Sequence, residues 1–265
     1  MVTGIDCSKD YFDLVVLNDE TIIFSARFDN NSQGFMQMLP TITGTHVSME
    51  ATGPYYFQLA RFIAERGIRI SVLNPLTVKR FSQMSLSRAK TDKKDALLIA
   101  KFTAMTKPKE WKVPADEITQ IRNLETYIRG LKDRKHMIGN QKHAIEASGT
   151  VSIELSNEIN DEIEYYQTKI TAKEKQIEAL INLNYKDLYQ NLQTIPGIGP
   201  RSATLLITST NGFNMFDGYR QIISYFGLAP RVYESGSSIR GKRKICKMGM
   251  SQIRKVLYMA ATSAI

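Results

Sequence analysis

Residues 2–18 read VTGIDCSKDYFDLVVLN, in which two alternating apolar and polar runs, VTGID and FDLVVLN, are joined by the tight segment CSKDY. A period of two puts successive side chains on opposite faces of a pleated strand, so the stretch predicts two strands folded back on each other. TIIFSARF continues as a third strand, NNSQGFMQMLP as a short helix and HVSMEA as a fourth strand. PYYFQLARFIAERG follows as an amphipathic helix with Pro54 at its first turn, and IRISVLN as a fifth strand. Three strands, then strand and helix in alternation, predict an α/β domain with an antiparallel hairpin edge and a parallel centre.

The domain closes with RAKTDKKDA, residues 88–96, where a helix begins with Thr91 able to cap it and the apolar run ALLIAKF behind it. Asp92 and Asp95 are three apart, so on a helix both point to one side, among Arg88, Lys90, Lys93 and Lys94. Two carboxylates on a helix are commonly surface solvation. They become chemistry if partners converge, and Asp6 at the end of the first strand and Glu50 at the end of the fourth are available. If those strands are neighbours, the two side chains emerge together and the helix packs across them. Such a density of carboxylates repels itself unless cations neutralise it, and Mg²⁺ or Mn²⁺ with hard oxygen ligands is the natural choice. Two such ions about 4 Å apart can activate one oxygen and stabilise another on phosphorus. The neighbouring lysines then hold a phosphodiester backbone that the acids alone would repel.

Beyond this domain, 1–107, KPKEWKVPA marks a linker over 108–114, followed by a helical region over 115–188 and a last unit over 189–265. Ile121, Leu124, Ile128, Leu131, Ile138 and Ile145 step as heptads, with Lys135 and Lys142 in the intervening seam positions. EASGT breaks the pattern, and Ile163, Tyr166, Ile170, Lys173, Ile177 and Leu180 resume it, so a helical hairpin is expected. Its lysine-interrupted seams are compatible equally with packing inside one chain and with a partner chain. In the last unit, IPGIGPRSA has the form of a helix-hairpin-helix, in which Gly197, Gly199 and Arg201 face a phosphate.

The net charge of +9 is unevenly spread: between Arg231 and Lys255 there are eight cations and one acid, and between Lys79 and Lys112 ten cations and three acids. Two basic regions in one chain point to a polyanion, with Arg231, Arg240, Lys242, Arg243, Lys244 and Lys247 the second set of contacts. Cys7 and Cys246 stand in no CxxC or His-rich spacing, so neither a zinc site nor a disulfide framework is expected. His136 and His143 lie among lysines that oppose a cation, and Tyr55 and Tyr56 read as packing for the helix they precede. The opening MVTGIDCSKD lacks a signal-peptide pattern and no apolar run approaches the ~20 residues that span a bilayer, so the cytoplasm is the expected compartment.

In order, GIDCSKD, MEATGPYY, K-T-D-x-x-D-A, IPGIGPRSA, YFGLAPRVYESGSSIRGKRKICKMG and IRKVLYMAA resemble the insertion-sequence transposases related to the Piv invertase, the IS110 group of DEDD transposases or bridge recombinases. The resemblance covers essentially the whole chain. It implies an α/β ribonuclease-H-like (RuvC-like) N-terminal domain, a helical coiled-coil hairpin and a mainly α C-terminal transposase domain with a helix-hairpin-helix. It implies that Asp6, Glu50, Asp92 and Asp95 bind Mg²⁺ or Mn²⁺, and that Ser235 attacks DNA to form a phosphoserine link. It also implies a homo-oligomer in which the acids of one subunit work beside the serine of another, a noncoding guide RNA, and a chain continuing some tens of residues past MAATSAI. The residues around Ser235 agree with a nucleophile's needs: Gly236 permits close approach, the cations face a phosphorane-like state, and His46, His136 and His143 all lie outside this unit. Ser237 and Ser238 are equally placed, and only the resemblance selects Ser235. The alternative is a metal-dependent, structure-specific nuclease of the junction-resolving type that uses the acids alone; a binding protein without catalysis is a further one.

Overall fold

The computed structural model describes residues 1–84, 92–231, 234–235, 239–240 and 244–265, with the backbone alone at 92, 93, 231, 234, 235, 239 and 240. Thr91, the expected helix cap, lies outside the described residues. The chain forms two compact units, Met1–Val113 and Pro114–Ile265.

The first unit is built on strands β1 (Val2–Cys7), β2 (Tyr11–Asn18), β3 (Thr21–Asp29), β4 (His46–Glu50) and β5 (Ile70–Leu73), in the order β3-β2-β1-β4-β5. β1, β2 and β3 pair antiparallel, and β1, β4 and β5 pair parallel, so the expected hairpin edge and parallel centre are both present. Ile5 and Cys7, with Phe12, Leu14 and Val16, pack beneath helices α1 (Ser32–Ile42) and α2 (Tyr56–Ala64). On the opposite face Val15 and Leu17 pack against Ala96 and Ala100 of α4 (Asp92–Thr106). The contact depends on Gly4, because a Cβ there would lie 2.1 Å from the Ala96 carbonyl oxygen and 2.3 Å from the Ala100 nitrogen. Backbone therefore rests on backbone, which any larger residue prevents.

Helix α3 (Pro75–Met84) was not expected from hydrophobic periodicity. Its signal is local: Asn74 Oδ1 accepts from the Leu76 N–H at 2.8 Å, and Pro75 stands at the first helical position. Pro54 precedes α2, its carbonyl accepting from the Phe57 N–H at 3.3 Å in the turn that leads into the helix.

The segment read as a linker lies along the β5 edge. The Trp111 N–H donates to the Ile70 carbonyl at 2.7 Å, and Arg69 pairs with Glu110 at 2.9 Å. The Trp111 ring meets Phe57 edge-on at 5.8 Å. Ser71 Oγ donates to the Lys109 carbonyl at 2.8 Å and so receives the Nε2 proton of His46, 2.8 Å away. Burial and the Arg69 charge hold His46 below its ordinary pKa, against the pull of Glu110.

In the second unit α5 (Asp116–Ala147) and α6 (Ile153–Asn184) pack through Ile121, Ile128, Leu131, Ile170 and Ile177, the heptad positions read in the sequence. The seam lysines are satisfied within the hairpin: Lys135 Nζ donates to Gln167 Oε1 and Lys142 Nζ to Asn160 Oδ1, each at 2.7 Å. Lys132 pairs with Glu174 at 2.6 Å. Then come α7 (Lys186–Gln193), α8 (Pro200–Thr210), α9 (Tyr219–Tyr225), four two-residue strands between Pro230 and Ile245, and α10 (Ser251–Ser263). Among the described residues no helix is long and apolar enough to cross a membrane.

Gly4→Ala is expected to lower stability by about 1–3 kcal/mol, the usual cost of overpacking a tight contact, in a urea titration of the whole chain. Lys135→Leu combined with Lys142→Leu is expected to raise the melting temperature in a thermal unfolding scan, since seam lysines specify register at a cost in stability.

Candidate functional site

Asp6 lies two residues beyond Gly4 on β1 and therefore on the face that α4 covers. The parallel register runs from Val2 opposite His46 to Ile5 opposite Met49, so the next step sets Asp6 beside Glu50 at the C-terminal ends of both strands. Ser48, opposite Gly4, shares that face with Glu50, and its buried hydroxyl has no hydrogen-bond partner among the described residues. Asp6 and Glu50 are half-buried, and Glu50 Oε1 accepts from Thr52 Oγ1 at 2.9 Å. Asp95, also half-buried, directly precedes Ala96 in α4, and Asp92 is the first residue of that helix. The Asp92 side chain lies outside what is described.

Asp6, Glu50 and Asp95 present hard oxygen donors of the kind Mg²⁺ and Mn²⁺ prefer. Among the described residues, no three His, Cys, Asp or Glu side chains close into a group that could hold a metal ion.

Sequence reading passed over Asp13, which stands directly across from Asp6 in the β1–β2 register. Its carboxylate is held by Arg27 on β3, with Nη2 at 2.7 Å and Nε at 3.3 Å, so its charge is already matched. The alternation of residues 2–18 could have revealed it, because a tight hairpin pairs those two positions. Cys7 turns to the other face, where burial, and then the Asp6 charge, push its thiol up to about 12.

The second region is a β arm. β6 (Pro230–Arg231) pairs with β9 (Lys244–Ile245), and β7 (Glu234–Ser235) pairs with β8 (Ile239–Arg240). Arg231 stands opposite Lys244, Glu234 opposite Arg240 and Ser235 opposite Ile239. The arm's base is fastened by the Cys246 N–H to the Ala229 carbonyl at 2.8 Å and the Lys247 N–H to the Gly227 carbonyl at 3.0 Å. Arg254 adds an Nη1 bond to the Phe226 carbonyl at 2.9 Å, which makes it a structural cation. Lys244 and Lys247 are exposed, and Lys242, Arg243, Gly236, Ser237 and Ser238 lie outside the described residues.

In the segment read as a helix-hairpin-helix, α7 and α8 flank a turn at 194–199. Gly197 is needed for packing as well as for its φ of +82°: a Cβ would lie 2.0 Å from the Ala260 carbonyl of α10. Gly199 precedes α8 with open space around it, and Arg201 is exposed. Of the first basic region, Lys94 is exposed, the Lys93 side chain is not described and Lys90 lies outside the described residues.

Residues 3–146 match a model of DEDD type described as "Transposase", and residues 189–265 match one described as "Transposase IS116/IS110/IS902 family". The pilin gene-inverting proteins of Moraxella lacunata and Moraxella bovis are each 32% identical over 269 residues, covering 97% of this chain and 81% of theirs. A probable family 20 transposase of Pseudomonas aeruginosa is 24% identical over 294 residues, covering 99% of this chain and 83% of its own.

At pH 8 iodoacetamide is expected to modify the half-buried Cys246 and spare Cys7 until the chain unfolds, as peptide mass mapping would show. The neutral thiol is favoured in the folded state, so the contribution of Cys7 to stability is complete below about 9 and declines as pH rises towards about 12. Cys7→Ala should flatten that alkaline slope.

Proposed function

The chain belongs to the IS116/IS110/IS902 family of transposases, and we propose that it recombines the DNA of an insertion sequence by cutting strands onto Ser235 and rejoining them from it. The observation that carries this reading is the parallel register that sets Asp6 beside Glu50 on the face covered by the helix bearing Asp92 and Asp95. In this reading the sheet unit is a ribonuclease-H-like, RuvC-type domain and the four acids hold Mg²⁺ or Mn²⁺. A bound divalent ion supplies positive charge against the phosphoryl oxygens.

The chain's own part is nucleophilic. Ser235 Oγ forms a bond to phosphorus as the bond from phosphorus to a deoxyribose oxygen breaks; the serine proton is released and the departing oxygen gains one. Rejoining reverses the step, with a hydroxyl of another strand as nucleophile and Ser235 restored. Arg231, Arg240 and Lys244, ladder neighbours in the same arm, supply cations near the phosphate. Lys90, Lys93, Lys94, Gly197, Gly199, Arg201, Lys242, Arg243 and Lys247 hold the nucleic-acid backbone.

The partners in this reading are the element's ends and target DNA, with an element-encoded RNA as guide, and the working form is a cytoplasmic homo-oligomer associated through the α5–α6 coiled coil. The net charge of +9 and the two separate basic regions support a polyanion larger than one duplex end. The Moraxella relatives, named for inverting a pilin gene, support recombination over simple hydrolysis.

The test is covalent trapping on nicked DNA carrying an element end, with the adjacent RNA and Mg²⁺ or Mn²⁺, on a denaturing gel. Wild type is expected to give a protein–DNA adduct that Ser235→Ala lacks and that Asp6→Asn reduces by at least about a hundredfold, the scale of losing a charge-stabilising group. Cutting by both wild type and Ser235→Ala without an adduct would instead establish the structure-specific nuclease that uses the acids alone.

A further inference from the structure

A cavity of about 600 Å³ opens within the second unit among α5, α6, α8 and α10, a size ordinary for a small-molecule site. Ile128, Ile177 and Tyr189 form a buried floor. Glu125 stands in its wall with acceptor capacity to spare. Among the described residues its carboxylate takes one long hydrogen bond, from Thr208 Oγ1 at 3.5 Å, and that hydroxyl also approaches the Thr204 carbonyl at 3.0 Å. Arg122 adds its charge from nearby but gives its Nε and Nη2 hydrogen bonds to the Thr208 carbonyl, at 3.1 and 2.6 Å. Burial pushes the Glu125 carboxyl up, while the Thr208 bond and the charges of Arg129, Arg122 and Arg201 hold it down. A carboxylate with unfilled acceptors beside an apolar floor asks for a ligand with N–H donors on a flat apolar body.

The rim carries both signs, Asp133, Glu174 and Glu178 standing among its cations, and Arg129 and Arg201 are the groups there suited to a phosphate. Arg129 and Arg201 are both exposed there, and Arg129 Nη2 donates to Gln252 Oε1 at 2.7 Å, tying α5 to α10 at the opening. An occupant therefore carries donors inward and an anion outward, as a nucleotide does. Among the bases, adenine and cytosine set one amino donor beside an acceptor, and uracil and thymine set one N–H between two carbonyls. Guanine alone offers two adjacent donors, N1–H and the 2-amino group, to the two oxygens of one carboxylate. That edge is occupied in a base pair, so the nucleotide must be unpaired or extruded.

We propose that this cavity binds the base of one unpaired guanine nucleotide of a nucleic-acid strand, with Glu125 receiving N1–H and the 2-amino group and Arg129 and Arg201 holding its phosphate. The site needs neither Ser235 nor the acidic quartet, and it shares only Arg201 with the backbone contacts of the strand-transfer reading. Either DNA or RNA can supply such a nucleotide.

The experiment is fluorescence anisotropy of the full chain with single-stranded pentamers carrying one central guanine, adenine or hypoxanthine in a thymine or uracil background, as deoxy and ribo series. Guanine is expected to bind about tenfold more tightly than adenine, the scale of one bidentate contact. Hypoxanthine, lacking the 2-amino donor, should fall between them. Tighter binding in the deoxy series identifies DNA as the source, and in the ribo series RNA. Glu125→Gln, checked for folding by circular dichroism, should remove the preference, whereas Arg201→Ala should weaken guanine and adenine pentamers alike. Ser235→Ala should leave the preference as it is, which separates this site from strand transfer. Equal binding of the three wild-type pentamers, or a guanine preference that survives Glu125→Gln, would overturn the proposal.

Discussion

The sheet unit depends on the absence of a side chain at Gly4. Helix α4 can lie directly on β1 because nothing stands between Gly4 and the Ala96 and Ala100 backbone. That closeness sets the depth at which the helix runs, and so how near its first turn comes to the ends of the parallel strands. Ala96 and Ala100 continue the same logic on the helix side, small residues meeting a strand that has none, with Val15 and Leu17 sealing the contact. Asp95 is adjacent to the contact point in sequence, so its position follows from a packing constraint and not from the flexible reach of its own side chain.

Charge on that face is matched most plainly at Asp13. Asp13 and Asp6 are cross-strand partners of the same type, yet Asp13 is gripped by two nitrogens of Arg27. A carboxylate with a bidentate arginine is a poor candidate for further ligation. Asp6 lies one strand further in and Glu50 two, where β1 and β4 pair parallel. The acids of the parallel side, Asp6 and Glu50, stand at or next to the C-terminal ends of their strands. Ligand sites of open α/β sheets gather at such ends.

The second unit uses polar groups for register where the first uses close packing. Lys135 with Gln167 and Lys142 with Asn160 are cross-helix hydrogen bonds a heptad apart on α5, and a slip of one turn would break both. Apolar contacts through Ile121, Ile128 and Ile177 hold the helices together, and the lysines say how they align. Glycines then do for the β arm what Gly4 does for the sheet: Gly227, at φ +71°, comes so close to the Met248 carbonyl that a Cβ would lie at 2.5 Å. The arm carrying Ser235 is therefore anchored at its root by backbone contacts, with Arg254 of α10 adding a bond to the Phe226 carbonyl.

The five strands, their change from antiparallel to parallel pairing and the long helical hairpin were legible in residues 2–18, in the strand–helix alternation and in the heptads, because period and turn chemistry are local properties of a chain. Helix α3 was equally local but was carried by an Asn-Pro start that a search for apolar stripes does not weigh. The acids Asp6, Glu50, Asp92 and Asp95 could be picked out as candidates from where strands end and helices begin. That the β1–β4 register brings the strand ends carrying Asp6 and Glu50 side by side, that Asp13 is spent on Arg27, and that Glu125 lines a cavity were decided only by the tertiary structure. Strand register, ion pairing and enclosure arise between residues far apart in sequence, and no local pattern encodes which of several equivalent carboxylates will find a partner.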